Sequence, residues 1–320
     1  MSKSLATVFS GNRLSRLLLT LTVATTIQPV FGLSASSDSG EPANLTYHSN
    51  VSEVRLVFFA TDEHNHAVEE LQNNDIAVVD DEMVIRNFRS FTRADLVKHD
   101  LIVLMDSSES MRPQLQQEIA NVQQLISQWP SRPGDGISVL SFGGMETRVI
   151  CSGDCRSSFT RERISSLPKG GATPLFDALE VAAKTLIQRK QPDVWPVIIL
   201  FSDGDDTISK TSLRQALQKI VASEAQVYAV DLNRSERASN GSATLQRIAD
   251  NSGGRYLGIN EGAAGIFHHL LDDLHSARVV TYRLPESGSD FHSIRILPTH
   301  NLKLQFRCRS GYYYRSGSAD

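Results

Sequence analysis

At 320 residues the chain is long enough for one medium-sized domain with additions. Its 40% hydrophobic and 21% charged residues exclude a disordered or fibrous polypeptide. A net charge of -4, with no basic cluster interleaved with aromatics, excludes a general nucleic-acid binder.

The first 32 residues carry Lys3, Arg13 and Arg16 and no acid. An apolar run around Leu18 comes next, then Gln28, Pro29 and Gly32. Basic start, short apolar core and small residue at the cut are the order of a secretory signal peptide. Cleavage is expected after Gly32, with Ala35 the alternative site. A retained membrane anchor is the competing reading, but the run is shorter than the ~20 residues a span requires. No cysteine follows the apolar core, which argues against a bacterial lipid anchor. The expected location is therefore periplasmic or secreted, without a stable membrane span in the mature chain.

Residues 33–49, rich in Ser, Gly and Pro, read as a flexible linker. Residues 50–95 read as a small β-module. "VRLVFFAT" is a strand, "DEHNHA" a turn, and "NDIAVVDD" and "VIRNFRSF" further short strands. So small a module buries little by itself and is expected to lean on the larger segment C-terminal to it.

Over residues 98–277 the pattern changes to apolar strands alternating with amphipathic helices. "LIVLM" precedes a helix in which Ile119, Val122, Leu125 and Ile126 fall at helical spacing. "GISVLSF" and "TRVI" read as a strand pair, "PLFDALEVAAKTLIQR" as a helix and "VIILF" as a buried strand. "SLRQALQKIVASE", "QVYAVDL", "ATLQRIADNS", "GRYLGI" and "AAGIFHHLLDDLHSA" continue the alternation to a last helix. Such a chain forms a mostly parallel sheet covered on both faces. Residues 278–316 return to β, with strands at "VVTYRL", "HSIRIL" and "LKLQFRC", expected to pair with the N-terminal β-module. In the last of these Leu302, Leu304, Phe306 and Cys308 are placed on one strand face, with Cys308 a buried, inert thiol. Cys151 and Cys155, separated by a turn containing Gly153, are expected to form a local disulfide, since a zinc site needs more ligands than this segment offers.

In an open parallel sheet, ligands gather at the carboxyl ends of the strands where the chain order reverses. "LIVLM" ends at Asp106, and "VIILF" runs into Ser202 and Asp203. If these are the first and fourth strands they are neighbours, and both carboxylates project into one crevice. Ser108 and Ser110 alternate with Asp106, and Thr173 opens the next helix in "GGATPLFDAL". Two carboxylates and three hydroxyls, with no soft ligand, suit a small hard cation, Mg2+ in particular. Such a site keeps an open position on an electron-poor ion, which favours a partner's carboxylate oxygen.

Asp106, Ser108 and Ser110 in "DSSES", Thr173 in "GGATPLFDAL" and Asp203 in "FSDGDDT" resemble the three metal-site loops of von Willebrand factor type A domains. In that family these five positions form the metal-ion-dependent adhesion site. The resemblance implies a Rossmann-like doubly wound fold, Mg2+ or Mn2+ binding, ligation of an Asp or Glu on a protein partner, and an antiparallel edge strand. The flanks "VFFATDEHNHAVEELQNNDIAVVDD" and "YRLP" through "GYYY" are similar to the bacterial group of such domains named for Acidobacteria. Glu109 stands where many relatives have glycine, adding negative charge beside the site.

Each position also has a plainer reading. Thr173 before Pro174 is a good helix cap, and Ser108 and Ser110 suit a turn. Asp205 and Asp206 read as solvated loop or helix-start acids, and His64 and His66 as exposed turn residues. The tyrosines of "GYYY" are expected to alternate between core and surface. Three function classes remain: a non-enzymatic metal-dependent binding module, a structural component of an envelope assembly, and, least supported, a metal-dependent hydrolase. The last lacks a nucleophile elbow or a histidine beside these loops.

Overall fold

The structure is a computed structural model that describes residues 53–94, 97–129, 132–153, 155–167, 170–233, 239–258, 262–284 and 290–313. The expected leader and linker, residues 1–49, lie outside these.

In chain order the strands β1 (Glu53–Thr61), β2 (Ile76–Asp80), β3 (Met83–Ile85) and β4 (Ser90–Arg93) come first. Then come β5 (Lys98–Asp106), α1 (Leu115–Gln128), β6 (Gly136–Gly143), β7 (Glu146–Gly153), α2 (Ser158–Ser165), α3 (Leu175–Arg189) and β8 (Val194–Ser202). After these lie α4 (Leu213–Ser223), β9 (Gln226–Asp231), α5 (Asn240–Ser252), β10 (Arg255–Gly258) and α6 (Gly262–Ser276). The described chain closes with β11 (Arg278–Arg283), β12 (Phe291–Pro298), β13 (Gln305–Cys308) and β14 (Gly311–Tyr313).

The apolar run of β5 is buried on both faces because helices cover both sides of the central sheet. Leu101, Val103 and Met105 pack with Leu115, Ile119 and Val122 of α1 and Leu270 and Leu274 of α6. Ile102 and Leu104 pack with α3, α4 and α5 through Leu179, Ile220 and Ile248. Each fully buried Leu or Ile contributes about 1.5–3 kcal/mol, so this alternation fixes the register of β5. The sheet order is β10-β9-β8-β5-β6-β7. All neighbours are parallel except β7, which pairs antiparallel with β6. The first and fourth strands of this sheet, β5 and β8, are therefore neighbours, in register from Lys98↔Val194 to Met105↔Phe201.

The β segments before and after this α/β part combine. Two antiparallel sheets, ordered β13-β1-β11-β4 and β14-β12-β2-β3, share a core of Val54, Leu56, Phe58, Ile76, Val78, Val280, Tyr282 and Ile294. On β1 and β11 the alternate side chains Phe59 and Val279 join the α/β core instead. The small β-module does lean on its neighbour through Phe59 and Val279, while Arg55 and Thr281 on the same face stay half-buried.

Two features differ from expectation. Helix α2 has no apolar stripe in "SFTRERIS" to announce it; Ser157 starts it by accepting a hydrogen bond from the Thr160 N–H. Strand β13 is shorter than expected. Asn301 turns the chain by accepting from the N–H groups of Lys303 and Leu304, and Leu302 is 79% exposed rather than on the strand's inner face. Cys308 is half-buried, with its thiol pushed up to about 12 by burial and so inert. Cys151 and Cys155 are joined in a disulfide at the end of β7.

Candidate metal centre

Asp106 is the last residue of β5 and is fully buried. One carboxylate oxygen accepts the Ser108 N–H at 3.0 Å and the other the Ser202 hydroxyl at 2.7 Å. This is a short Asx turn anchored across to the neighbouring strand β8. Ser107 anchors it on the other side, donating both its N–H (2.8 Å) and its hydroxyl (3.0 Å) to the Phe142 carbonyl of β6. Held from two strands, the turn places the Ser108 and Ser110 hydroxyls 3.1 Å apart.

The second loop is bound to the first by backbone. Gly170 donates to the Ser107 carbonyl at 2.9 Å and Glu109 to the Gly171 carbonyl at 3.0 Å. Gly171, at φ +92, packs so close that a Cβ there would lie 2.7 Å from Gly144 Cα; only glycine fits. The third loop closes on the second: the Thr173 N–H donates to the Thr207 hydroxyl at 2.8 Å, and the Thr207 N–H to the Thr173 carbonyl at 2.9 Å. Thr173 is buried but does not hold the cap of α3, which Pro174 occupies. The first-turn N–H of Phe176 is taken by Asp206 instead, at 3.2 Å. Asp206 is thus the helix-start acid the sequence offered, supplied from another loop. Asp203 is half-buried and accepts the Asp205 N–H at 3.2 Å. Asp205 is exposed.

Burial pushes the Asp106 carboxyl up to about 6; hydrogen bonds from Ser108 and Ser202 pull it down, and the charge of Asp203 adds to the rise. No ion pair reaches Asp106 or Asp203 among the described residues. Two carboxylates and a row of hydroxyls, uncompensated by any basic side chain, make a donor set that fits a hard divalent cation. Glu109 is exposed and paired with Arg112 at 2.9 Å. Two contributors are invisible to motif reading: Ser202, which becomes a partner only once β8 lies beside β5; and Glu118 of α1, 1% exposed and in the field of Asp106 and Asp203. The Asp231 carboxylate at the end of β9 accepts from Asn233, Ser242 and Tyr256, and is saturated.

A second group, Asp80, Asp81 and His292, has ligand atoms within 4.8 Å of one another and could hold a metal ion. It lies in the β-module. Asp80 already accepts the hydroxyls of Tyr282 (2.9 Å) and Tyr312 (2.7 Å) and faces His292 Nδ1 at 2.8 Å. Those contacts describe a buried polar network that stands without an ion. Tyr312 is buried and Tyr313 half-buried, and Tyr314 lies outside the described residues. His64 and His66 are exposed, with their rings stacked 6.0 Å apart.

The fold and these loops define a class. Residues 101–205 match the family model of the von Willebrand factor type A domain. The match reaches neither flanking segment, residues 50–95 or 278–316. Among curated proteins the chain is similar to the magnesium-chelatase 60 kDa subunits of Rhodobacter capsulatus (26% identical over 117 residues) and Cereibacter sphaeroides (27% over 159 residues). These alignments cover 37% and 47% of this chain but only 21% and 28% of those proteins. Among solved structures it is similar to a von Willebrand factor type A protein from Catenulispora acidiphila (15% identity, TM-score 0.46, 85% of this chain and 65% of that one). It is also similar to proximal thread matrix protein 1 from the mussel byssus with a zinc-occupied MIDAS motif (19%, TM-score 0.44, 56% and 48%). A third is the von Willebrand factor domain of the pilus tip protein Mfa5 from Porphyromonas gingivalis (12%, TM-score 0.46, 61% and 99%). At these scores the structural likenesses carry no argument of their own. No helix among the described residues is long and apolar enough to cross a membrane.

Proposed function

We propose that the chain is an exported, non-enzymatic binding module in which Mg2+ or Mn2+ is held by Asp106, Ser108, Ser110, Thr173 and Asp203 and ligates an Asp or Glu of a protein partner. The observation that carries this reading is an oxygen-only donor set, from buried Asp106, Ser108 and Thr173 to half-buried Asp203 and exposed Ser110, whose two carboxylates have no basic side chain to balance them among the described residues. The ion, when bound, supplies the positive charge that an incoming carboxylate needs. The chain's own part is to hold the donors still. Asp106 is fixed by Ser108 and Ser202, the turn is pinned to β6 by Ser107, and the Thr173 loop is tied to both neighbours. Neutral hydroxyls leave the ion electron-poor, which favours an anionic visitor over water. Export is read from the leader, and the Cys151–Cys155 disulfide is consistent with an oxidising compartment.

A hydrolase has less support. Ser108, the candidate nucleophile, has its hydroxyl engaged with that of Ser110 and with the Asp106 carboxylate, the other donors of the site. A magnesium-chelatase role draws only on likeness to about a quarter of those subunits.

Calorimetric titration with Mn2+ tests the metal reading: the wild-type chain binds one equivalent and Asp106→Ala binds none. Capture of acidic peptides on the immobilised protein tests the partner: retention needs Mg2+ or Mn2+ and is lost in chelator. Retention unchanged by chelator would overturn the partner reading.

A further inference from the structure

The five expected ligands leave one buried carboxylate beside them unexplained. Glu118 lies in the first turn of α1, 1% exposed, and neither of its oxygens has a hydrogen-bond partner. A buried carboxyl in that state is destabilising. An acid at a helix start is ordinarily favourable because it meets solvent or the free N–H groups of the first turn; Glu118 has neither. Its position says what it meets instead. Helical side chains lean toward the helix N-terminus, which directs Glu118 back over the turn leading in from the serine loop. That turn is continuous with the loop: the Met111 N–H donates to the Ser108 carbonyl and the Leu115 N–H to the Met111 carbonyl. Burial raises the Glu118 carboxyl well above its ordinary range, and the charges of Asp106 and Asp203 raise it further. The backbone of Asp106 pulls the other way, near enough to attract the carboxylate without the geometry of a hydrogen bond. No basic side chain among the described residues joins them. One turn earlier on the same helix face, Gln114 has a buried side-chain oxygen that is also without a partner. Two buried, unpartnered acceptors therefore lie at the start of α1, and one of them, Glu118, is in the field of two carboxylates that no basic side chain compensates among the described residues.

We propose that Glu118 is a further member of the metal centre: a third negative charge, behind Asp106, that tightens the hold on the ion through its field. The inference rests on the metal reading above. It explains why an acid survives in the apolar face of α1 among Leu115, Ile119 and Val122. The cation is what offsets it. Its role is to strengthen and position the site; the five residues of the loops remain the ones expected to touch the ion.

The test is Mn2+ titration and thermal melting of the full chain, as wild type, Glu118→Gln, Glu118→Met, Asp106→Ala and Glu109→Gln. Both Glu118 variants are expected to weaken Mn2+ binding by about 10–100-fold, the range found when groups behind a metal's ligands are removed. Their metal-free forms are expected to melt no lower than wild type, because an unpartnered buried group has been removed. Glu109→Gln, which removes an exposed charge, is expected to give a smaller change that salt abolishes. If Asp106→Ala loses Mn2+ while both Glu118 variants bind within about twofold of wild type, Glu118 is a structural residue and the inference is wrong, with the metal reading intact. If the wild-type chain binds no Mn2+, both fall together.

Discussion

His99 enters β5 between two indole rings, its centroid 5.7 Å from Trp129 and 5.4 Å from Trp195. Neither ring nitrogen has a partner, and burial lowers its pKa to about 4. The folded chain thus refuses a proton that the unfolded chain accepts near 6.5. Between those values the unfolded state binds more protons, so stability falls as pH drops from about 6.5 to about 4. The loss is on the order of 3 kcal/mol. Denaturant titrations across this window should show it, and His99→Phe should flatten the profile; an unchanged slope in that variant would assign the acid sensitivity elsewhere. At this scale the sequence reveals motif residues and hides contacts. Asp106, Ser108 and Ser110 could be singled out because their spacing lies within one turn. Ser202 and Glu118 could not, because their significance depends on β8 lying beside β5 and on α1 folding back beneath the loop.

Elements were legible where burial imposes a period. Strands β5, β6, β8 and β9 and five of the six helices carry a plain apolar pattern, and the neighbouring positions of β5 and β8 agree with two strands ending in acids. Helix α2 escaped because Phe159 and Ile164 are its only apolar residues and a serine cap, rather than an apolar stripe, begins it. The two-sheet β-module was legible as strands but not as a polar network, since Asp80 lies more than 200 positions from His292, Tyr282 and Tyr312. That network predicts a sharp cost. Asp80→Ala removes the acceptor of the buried Tyr282 and Tyr312 hydroxyls and should destabilise the chain by about 3 kcal/mol or more in equilibrium unfolding. Asp80→Asn, which keeps an acceptor, should cost less. Equal losses in the two variants would mean that the lost charge, not the lost acceptor, is what matters.

Across the whole molecule, the β-module and the α/β part are joined through α6. Asp273, 2% exposed, accepts Arg255 of β10 and Arg307 of β13, each at 2.6 Å. The Arg307 guanidinium lies 4.0 Å over the ring of Phe59. One carboxylate therefore ties the last helix, the edge of the central sheet and the β-module together. Asp273→Ala should cost about 3 kcal/mol and split a single calorimetric transition into two, as the β-module melts ahead of the central sheet. A single transition, merely shifted, would show that the shared apolar core alone couples them.

The pairing of β1 with β13, Phe58 opposite Cys308, carries a consequence for how the chain is made. β1 leaves the ribosome some 250 residues before the strand that completes one of its edges. At ordinary synthesis rates that is a wait of about 10–50 seconds. Strands β5 to β10 have all their partners within that interval, so the sheet bearing the metal crevice can close first. It then offers Phe59 a surface to settle on, and the newborn β1 has somewhere to shelter until its late partner arrives.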